Sequence, residues 1–197
     1  MPLTLRRGRV TAIVEQLEGL VRIEVDGTPC IAYPRLTGPV EVDDEVLVNT
    51  QARELGLGSG GFDVLYANLT RGLDLPAEEG AHVVALPYTP GQAAVCYLEE
   101  TAELADSLAG LPVVLCTVHS QVAPVCAGLR GLRVAYVQVA GGALPVSLSD
   151  TVRALKERDL LEVACAVAPC LDGDAQFVSA AAALAWASAR GEASAFS

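Results

Sequence analysis

The sequence predicts an α/β protein in two parts, with short β-strands closing into a small barrel and then a parallel sheet covered by helices. Three observations predict it. Hydrophobic residues fill 52% of the 197 positions while aromatics fill only 5%, so the core must be built from Ala, Val and Leu, as in sheets flanked by helices. Up to about residue 68, apolar residues alternate in short runs separated by turn residues, which is the period of strands with one buried face. In the second half, apolar runs of strand length alternate with longer helix-like segments, the pattern of a parallel sheet with helical crossovers.

Taken in order, residues 8–14 alternate, residues 20–25 alternate through Val21, Ile23 and Val25, and Asp26-Gly27 supplies a two-residue hairpin turn into 29–33. Further strands are predicted at 45–49 and 62–67, with an acidic turn at Val42-Asp43-Asp44-Glu45-Val46. Five short strands leave exposed edges that an OB-like or SH3-like barrel closure removes, so residues 1–70 are assigned to a small barrel. Residues 71–80 carry Gly, Pro and carboxylates with little periodicity and read as a linker.

Residues 81–197 form the second part. A hairpin is expected from 82–88 and 93–98 around Pro90-Gly91, then a short helix over 100–108. Strands at 113–117, 133–137 and 161–165 alternate with helices at 120–129, 150–158 and 176–190, which predicts a Rossmann-like, three-layer α/β domain. The Ala-rich stretch 177–189 is apolar almost all round, so it should pack on more than one neighbour, and a homo-oligomer interface is expected there. Residues 192–197 read as the opening of another strand.

The balance of 13 basic against 24 acidic residues gives a formal net charge of -11, which repels nucleic-acid phosphates and anionic membrane surfaces. Neither is expected as a partner. Arg6, Arg7 and Arg9 are read as a solvated strand edge. Single-stranded nucleic acid on the barrel would have only Tyr33, Phe62 and Tyr66 to stack on and ranks last. The six cysteines are scattered without a C-x-x-C pair and read as buried thiols of a reducing compartment. With no leader-like opening, cytoplasmic residence is expected. Residues 177–189 are too few for the about 20 that span a bilayer.

Candidate site residues come from three junctions where a strand-like run breaks into small polar residues before a helix. These are Cys116-Thr117-Val118-His119-Ser120, Val139-Ala140-Gly141-Gly142-Ala143-Leu144-Pro145 and Ala168-Pro169-Cys170-Leu171-Asp172-Gly173-Asp174. Such turns gather at the carboxyl ends of parallel strands, where ligands bind. His119 is a candidate general acid or base, or else a satisfied buried histidine. Ser120 is a weak nucleophile candidate without a G-x-S-x-G elbow, and N-capping alone explains it. Asp174 is grouped with them as catalytic. Gly141 and Gly142 offer the backbone freedom an anion exploits, with a structural turn the equal alternative, and Asp172 a hydroxyl- or cation-binding oxygen, although helix capping is the favoured account of the aspartates.

No metal is assigned, because nothing in the spacing supports zinc at Cys116, His119 and Cys170. The glycine run 55–61 leads into a strand rather than a helix and lacks the P-loop Lys, so it reads as a barrel turn. These residues specify no cofactor and no reaction.

The segments Leu5-Arg6-Arg7-Gly8, Tyr33-Pro34, Leu36-Thr37-Gly38-Pro39-Val40, Asn49-Thr50, the 55–61 glycine run and Ala67-Asn68-Leu69 resemble the bacterial domain-of-unknown-function family 3866. So do Val118-His119-Ser120, Gly141-Gly142-Ala143-Leu144-Pro145 with Ser149-Asp150, and Gly173-Asp174. The family has no assigned activity, so the resemblance implies none. Its members continue into another glycine-rich segment, which implies a C-terminally truncated chain and an incomplete site.

Two expectations follow. The first is a cytoplasmic protein binding a small metabolite, anionic or phosphorylated, at His119, Ser120, Gly141, Gly142, Asp172 and Asp174. The sequence shows no Arg or Lys clamp beside these residues. The second is a noncatalytic scaffold that assembles through the barrel and the Ala-rich helix.

Overall fold

The structure, a computed structural model, describes residues 3–56, 61–75, 79–81, 83–139, 144–170, 172–191 and, for the backbone, 193–196. The chain divides into two compact units, Met1–Pro76 and Ala77–Ser197.

The first unit is a closed five-stranded barrel of order β1-β2-β3-β5-β4. Its strands are β1 (Leu5–Leu17), β2 (Leu20–Val25), β3 (Thr28–Ala32), β4 (Glu45–Asn49) and β5 (Asp63–Asn68), with one-turn helices α1 (Pro34–Thr37) and α2 (Gln51–Glu54). Closure depends on β1 serving two neighbours. Its first half pairs with β4 from Leu5↔Asn49 to Arg9↔Glu45, its second half with β2 from Val10↔Val25 to Leu17↔Leu20, and irregularities at Val10/Ala12 and Ile13/Glu15 bend it between the two. The Asp26-Gly27 hairpin forms as predicted, with φ of 50° and 74°, the pair of positive values a type I′ turn requires.

Val10, Ile23, Val25, Val46, Val48 and Leu65 fill the interior. Arg6 and Arg7 bind carboxylates of the barrel itself, Asp26 and Asp63 for Arg6 and Glu45 for Arg7, while Arg9 donates to the Asp43 carbonyl. Of the 55–61 glycine run, Leu57–Gly60 lie outside the described residues.

The second unit opens with an antiparallel pair, β6 (Val83–Ala85) and β7 (Ala93–Val95). The expected hairpin is therefore present in shortened form, its first predicted residue, His82, lying outside the described residues. The helix expected over 100–108 is absent. A 3-10 turn at Leu98–Glu100 is followed by turns and bends, with Ala109 at φ 49° and its N–H bonded to Ser107 Oγ. Local side-chain bonding of this kind competes with helix propagation.

The unit then builds β8 (Val113–Leu115), α3 (Val122–Gly128), β9 (Val134–Gln138), α4 (Asp150–Glu157), β10 (Val163–Val167), β11 (Ala175–Phe177), α5 (Ala180–Ala189) and β12 (Ala193–Phe196). All five strands are parallel, in the order β11-β10-β9-β12-β8. The predicted helix 176–190 is corrected here: its first residues are strand β11, and α5 starts after Ser179, whose hydroxyl accepts the Ala182 N–H. Between β10 and its parallel neighbour β11 no helix lies among the described residues.

Alternation along the strands sorts the core into two faces. Val134 and Tyr136 of β9 and Ala164 of β10 pack with Val122 and Cys126 of α3 and Val152 and Leu155 of α4. Ala135, Val137, Val163, Cys165 and Val167 pack on the other face with Phe177 and with Ala182, Ala183 and Ala187 of α5. Trp186 of α5 packs on Phe177 at 5.6 Å between ring centroids, with the Arg190 guanidinium 4.6 Å over its face. No helix among the described residues is long and apolar enough to cross a membrane.

Candidate functional site

The carboxyl ends of β8 and β9 each run into a 3-10 turn, His119–Gln121 after β8 and Val146–Leu148 after β9. These turns bring together side chains 30 residues apart in sequence. His119 Nε2 lies 2.7 Å from Ser149 Oγ, and its Nδ1 faces the Tyr136 hydroxyl at 3.4 Å. Tyr136 comes from the α3/α4 face of β9 and meets the imidazole edge-on, with centroids 6.1 Å apart.

Ser149 is fully buried and is the N-cap of α4, its Oγ accepting the Val152 N–H at 3.0 Å. One lone pair is thus committed to the helix, and the hydroxyl proton and second lone pair remain for His119. Either imidazole tautomer fits, since Ser149 can donate to Nε2 while Nδ1–H faces Tyr136, or the reverse. Burial lowers the His119 pKa from its ordinary 6.5, which holds the ring neutral at physiological pH. The arrangement can accept or relay a proton between a phenol and an alcohol. It does not activate Ser149 as an exposed nucleophile.

Ser120 is exposed and caps no helix, because α3 begins at Val122 with Gln121 as its N-cap and without a side-chain cap bond. Gln121 instead turns back, its Oε1 accepting the Thr117 N–H at 2.8 Å. Gly141 and Gly142 lie outside the described residues.

Asp172 sits in the β10–β11 connection at φ 92° and accepts the Ser147 N–H at 2.8 Å, so it ties this connection to the turn beyond β9. Asp174 lies at the other end of the strands. It precedes β11 and grips Ala164, near the start of β10, with its N–H on the Ala164 carbonyl at 2.8 Å and its Oδ2 on the Ala164 N–H at 2.7 Å. Its Oδ1 pairs with Lys156 Nζ at 2.6 Å. The structure therefore joins His119 to Ser149 and Asp172 to Ser147, and places Asp174 at the amino end of the sheet. Neither aspartate caps α5.

Several residues of this edge were not singled out from the sequence. Arg153, in the first turn of α4, donates to the Ser147 carbonyl and to Asp150, so a guanidinium does stand beside the second junction. Tyr136 and Gln138 hide inside the apolar run of β9, where a polar residue in a fully buried strand was the available signal. Cys116 and Cys170 have thiols pushed up by burial, away from the thiolate that zinc takes. Among the described residues no group of three or more His, Cys, Asp or Glu could hold a metal ion.

No curated protein matches the sequence. The model of a family described as protein of unknown function (DUF3866) matches residues 29–195, a span that includes every junction described above and leaves only Leu5-Arg6-Arg7-Gly8 of the resembling segments outside it. The chain belongs to the DUF3866 family.

Proposed function

We propose that this protein binds a small polar metabolite at the carboxyl edge of the parallel sheet in its second unit, a Rossmann-like domain in which His119 is the central polar group. The observation that carries this reading is the 2.7 Å bond between His119 and Ser149. It fixes the orientation of a half-buried imidazole at the edge where open parallel sheets bind ligands, while burial keeps that imidazole neutral. Asp172, held on the Ser147 N–H, braces the neighbouring connection.

A thermal-shift screen of the protein against nucleotides, sugar phosphates, coenzymes and amides tests this, repeated with His119→Ala. A compound that raises the melting temperature of the parent by several degrees and shifts the variant by less than half as much supports the site. A well-folded parent that no compound shifts counts against it.

One observation favours assembly as the second reading. Strand β8 is the edge of the sheet, and its Val113 and Leu115, which share a face, are exposed, Leu115 to 78%. An open apolar edge is a pairing surface. By contrast α5, where an oligomer interface was expected, has no large side chain among the exposed ones. A monomer at micromolar concentration in sedimentation would exclude this second reading.

A further inference from the structure

Among the described residues of the second unit, three side-chain polar atoms are buried without a hydrogen-bond partner, Gln138 Oε1, Ser147 Oγ and Gln176 Oε1. Their residues are only 2%, 8% and 9% exposed. A buried acceptor left unmade costs about 1–3 kcal/mol, so three in one unit call for an explanation.

All three come from one region. Gln138 continues the Val134–Tyr136 face of β9, and Gln176 lies between Ala175 and Phe177, which face the α5 side, so both glutamines point to the α3/α4 face. Ala166 pairs with both, Gln138↔Ala166 on one side and Ala166↔Gln176 on the other. The two amides therefore flank a methyl group, about 10 Å apart at the backbone by the spacing of two strands.

The turn bearing Ser147 packs over β10. It is tied there from both sides, by the Ser147 N–H on Asp172 and by Gln138 Nε2 on the Leu144 carbonyl. The cationic and anionic groups of this edge already answer one another, with Arg153 on Asp150 and the Ser147 carbonyl, and Asp172 on the Ser147 N–H. Among the described residues, two amide oxygens and one hydroxyl remain buried without a partner.

We infer that the ligand of this edge presents a planar amide-type group, a primary carboxamide or the equivalent amino–carbonyl edge of a nucleobase, to Gln138, Gln176 and Ser147. Such a group offers two N–H donors to the two glutamine oxygens and one carbonyl to the Ser147 hydroxyl. This deepens the proposed function and rests on it, and it replaces the anionic ligand expected from the sequence. A carboxylate or phosphate would set its oxygens against the glutamine oxygens, whereas sites built to bond an N–H reject analogues that lack one by large factors.

The test compares amides with their acids on the full chain, using glutamine, asparagine, nicotinamide and cytosine against glutamate, aspartate, nicotinic acid and inorganic phosphate, by thermal shift and calorimetry. Gln176→Met accompanies the parent. The expected result is that at least one amide binds at least about tenfold tighter than its acid. Gln176→Met should then lose that binding while melting at the parent temperature or above, because it removes an unsatisfied acceptor at similar volume.

Binding that survives Gln176→Met overturns this inference and leaves ligand binding at the edge standing. An acid that binds as well as its amide also overturns it. So does a Gln176→Met protein that melts several degrees lower, since the glutamine would then be satisfied within the fold, by ordered water only. A parent unmoved by every amide overturns it too, and the His119 screen shows whether the broader reading falls with it.

Discussion

His119 and Ser149 close a 2.7 Å bond between the turn after β8 and the first residue of the α4 cap. The same oxygen that terminates a helix orients an imidazole, and Val152 N–H and His119 share it. Local helix stability and the geometry of the candidate site are therefore one quantity at this position.

Ser149→Ala should consequently cost more than an ordinary cap. Loss of the cap alone removes about 1 kcal/mol, and a half-buried imidazole nitrogen left without its partner adds about 1 kcal/mol or more. Urea unfolding of Ser149→Ala, His119→Ala and the double variant gives the coupling between the two. A coupling energy of about 1 kcal/mol is expected, and additivity within a few tenths would show that the bond contributes no stability.

The His119 pKa is lowered by burial, and the sign follows directly. The unfolded chain binds the proton near pH 6.5 and the folded one only at lower pH, so the stability present above pH 6.5 is lost as pH falls through the folded value. The groups facing the ring are the hydroxyls of Ser149 and Tyr136. His119→Gln should remain flatter than the parent between pH 7.5 and 5 in chemical denaturation. Parallel pH profiles for the two would contradict the buried, neutral imidazole.

The barrel holds a second pH-dependent element. Asp44 is almost fully buried and accepts the Glu41 N–H at 2.8 Å, Asn68 Nδ2 at 2.8 Å and Arg71 Nε at 2.7 Å. Burial alone pushes its carboxyl up, but the bonds from Arg71, Asn68 and Glu41 together outweigh it and leave the pKa below the ordinary 3.8. A carboxylate lowered in this way contributes stability at neutral pH that disappears as pH falls through the folded value. Asp44→Ala takes this acceptor from the Glu41 N–H and one of two partners each from the Asn68 amide and the Arg71 guanidinium, which keep the Pro39 carbonyl and Glu41, and should cost about 2–3 kcal/mol at pH 7. The deficit should shrink toward pH 3, and a constant one would show that packing, not charge, is responsible.

Much of the fold could be read from the sequence, for identifiable reasons. Strands such as β2 and β4 alternate and Asp26-Gly27 fixes one hairpin by backbone geometry, so each signal is local. The junctions at His119 and at Gly141-Gly142 were equally visible, since polar or small residues interrupt apolar runs there. Strand β11 was not, because Phe177 to Ala189 is apolar almost all round and neither period stands out where β11 gives way to α5; Ser179 marks the change. The His119–Ser149 bond depends on which βα junctions meet, which follows from a strand order that places β12 between β8 and β9. No local pattern carries that information.

Asp174 separates a structural from a chemical role most cleanly. In sequence it stood beside Asp172 as a catalytic candidate, yet it grips Ala164 at the start of β10 and pairs with Lys156. Its ion pair is partly exposed and contributes about 0–1 kcal/mol, whereas the part-buried Ala164 N–H needs an acceptor. Asp174→Asn keeps an amide oxygen for that N–H and should cost under about 1 kcal/mol, while Asp174→Ala orphans it and should cost about 1–3 kcal/mol. Gly173 supports the same grip, because at φ 93° a Cβ would come 2.8 Å from the Ala164 carbonyl oxygen. Gly173→Ala should therefore be at least as destabilising as Asp174→Ala. Both Asp174 variants should keep the parent's ligand-induced thermal shift. An Asp174→Asn protein of parental stability that no longer responds to ligand would return this residue to the site, and would place binding at the amino end of the sheet.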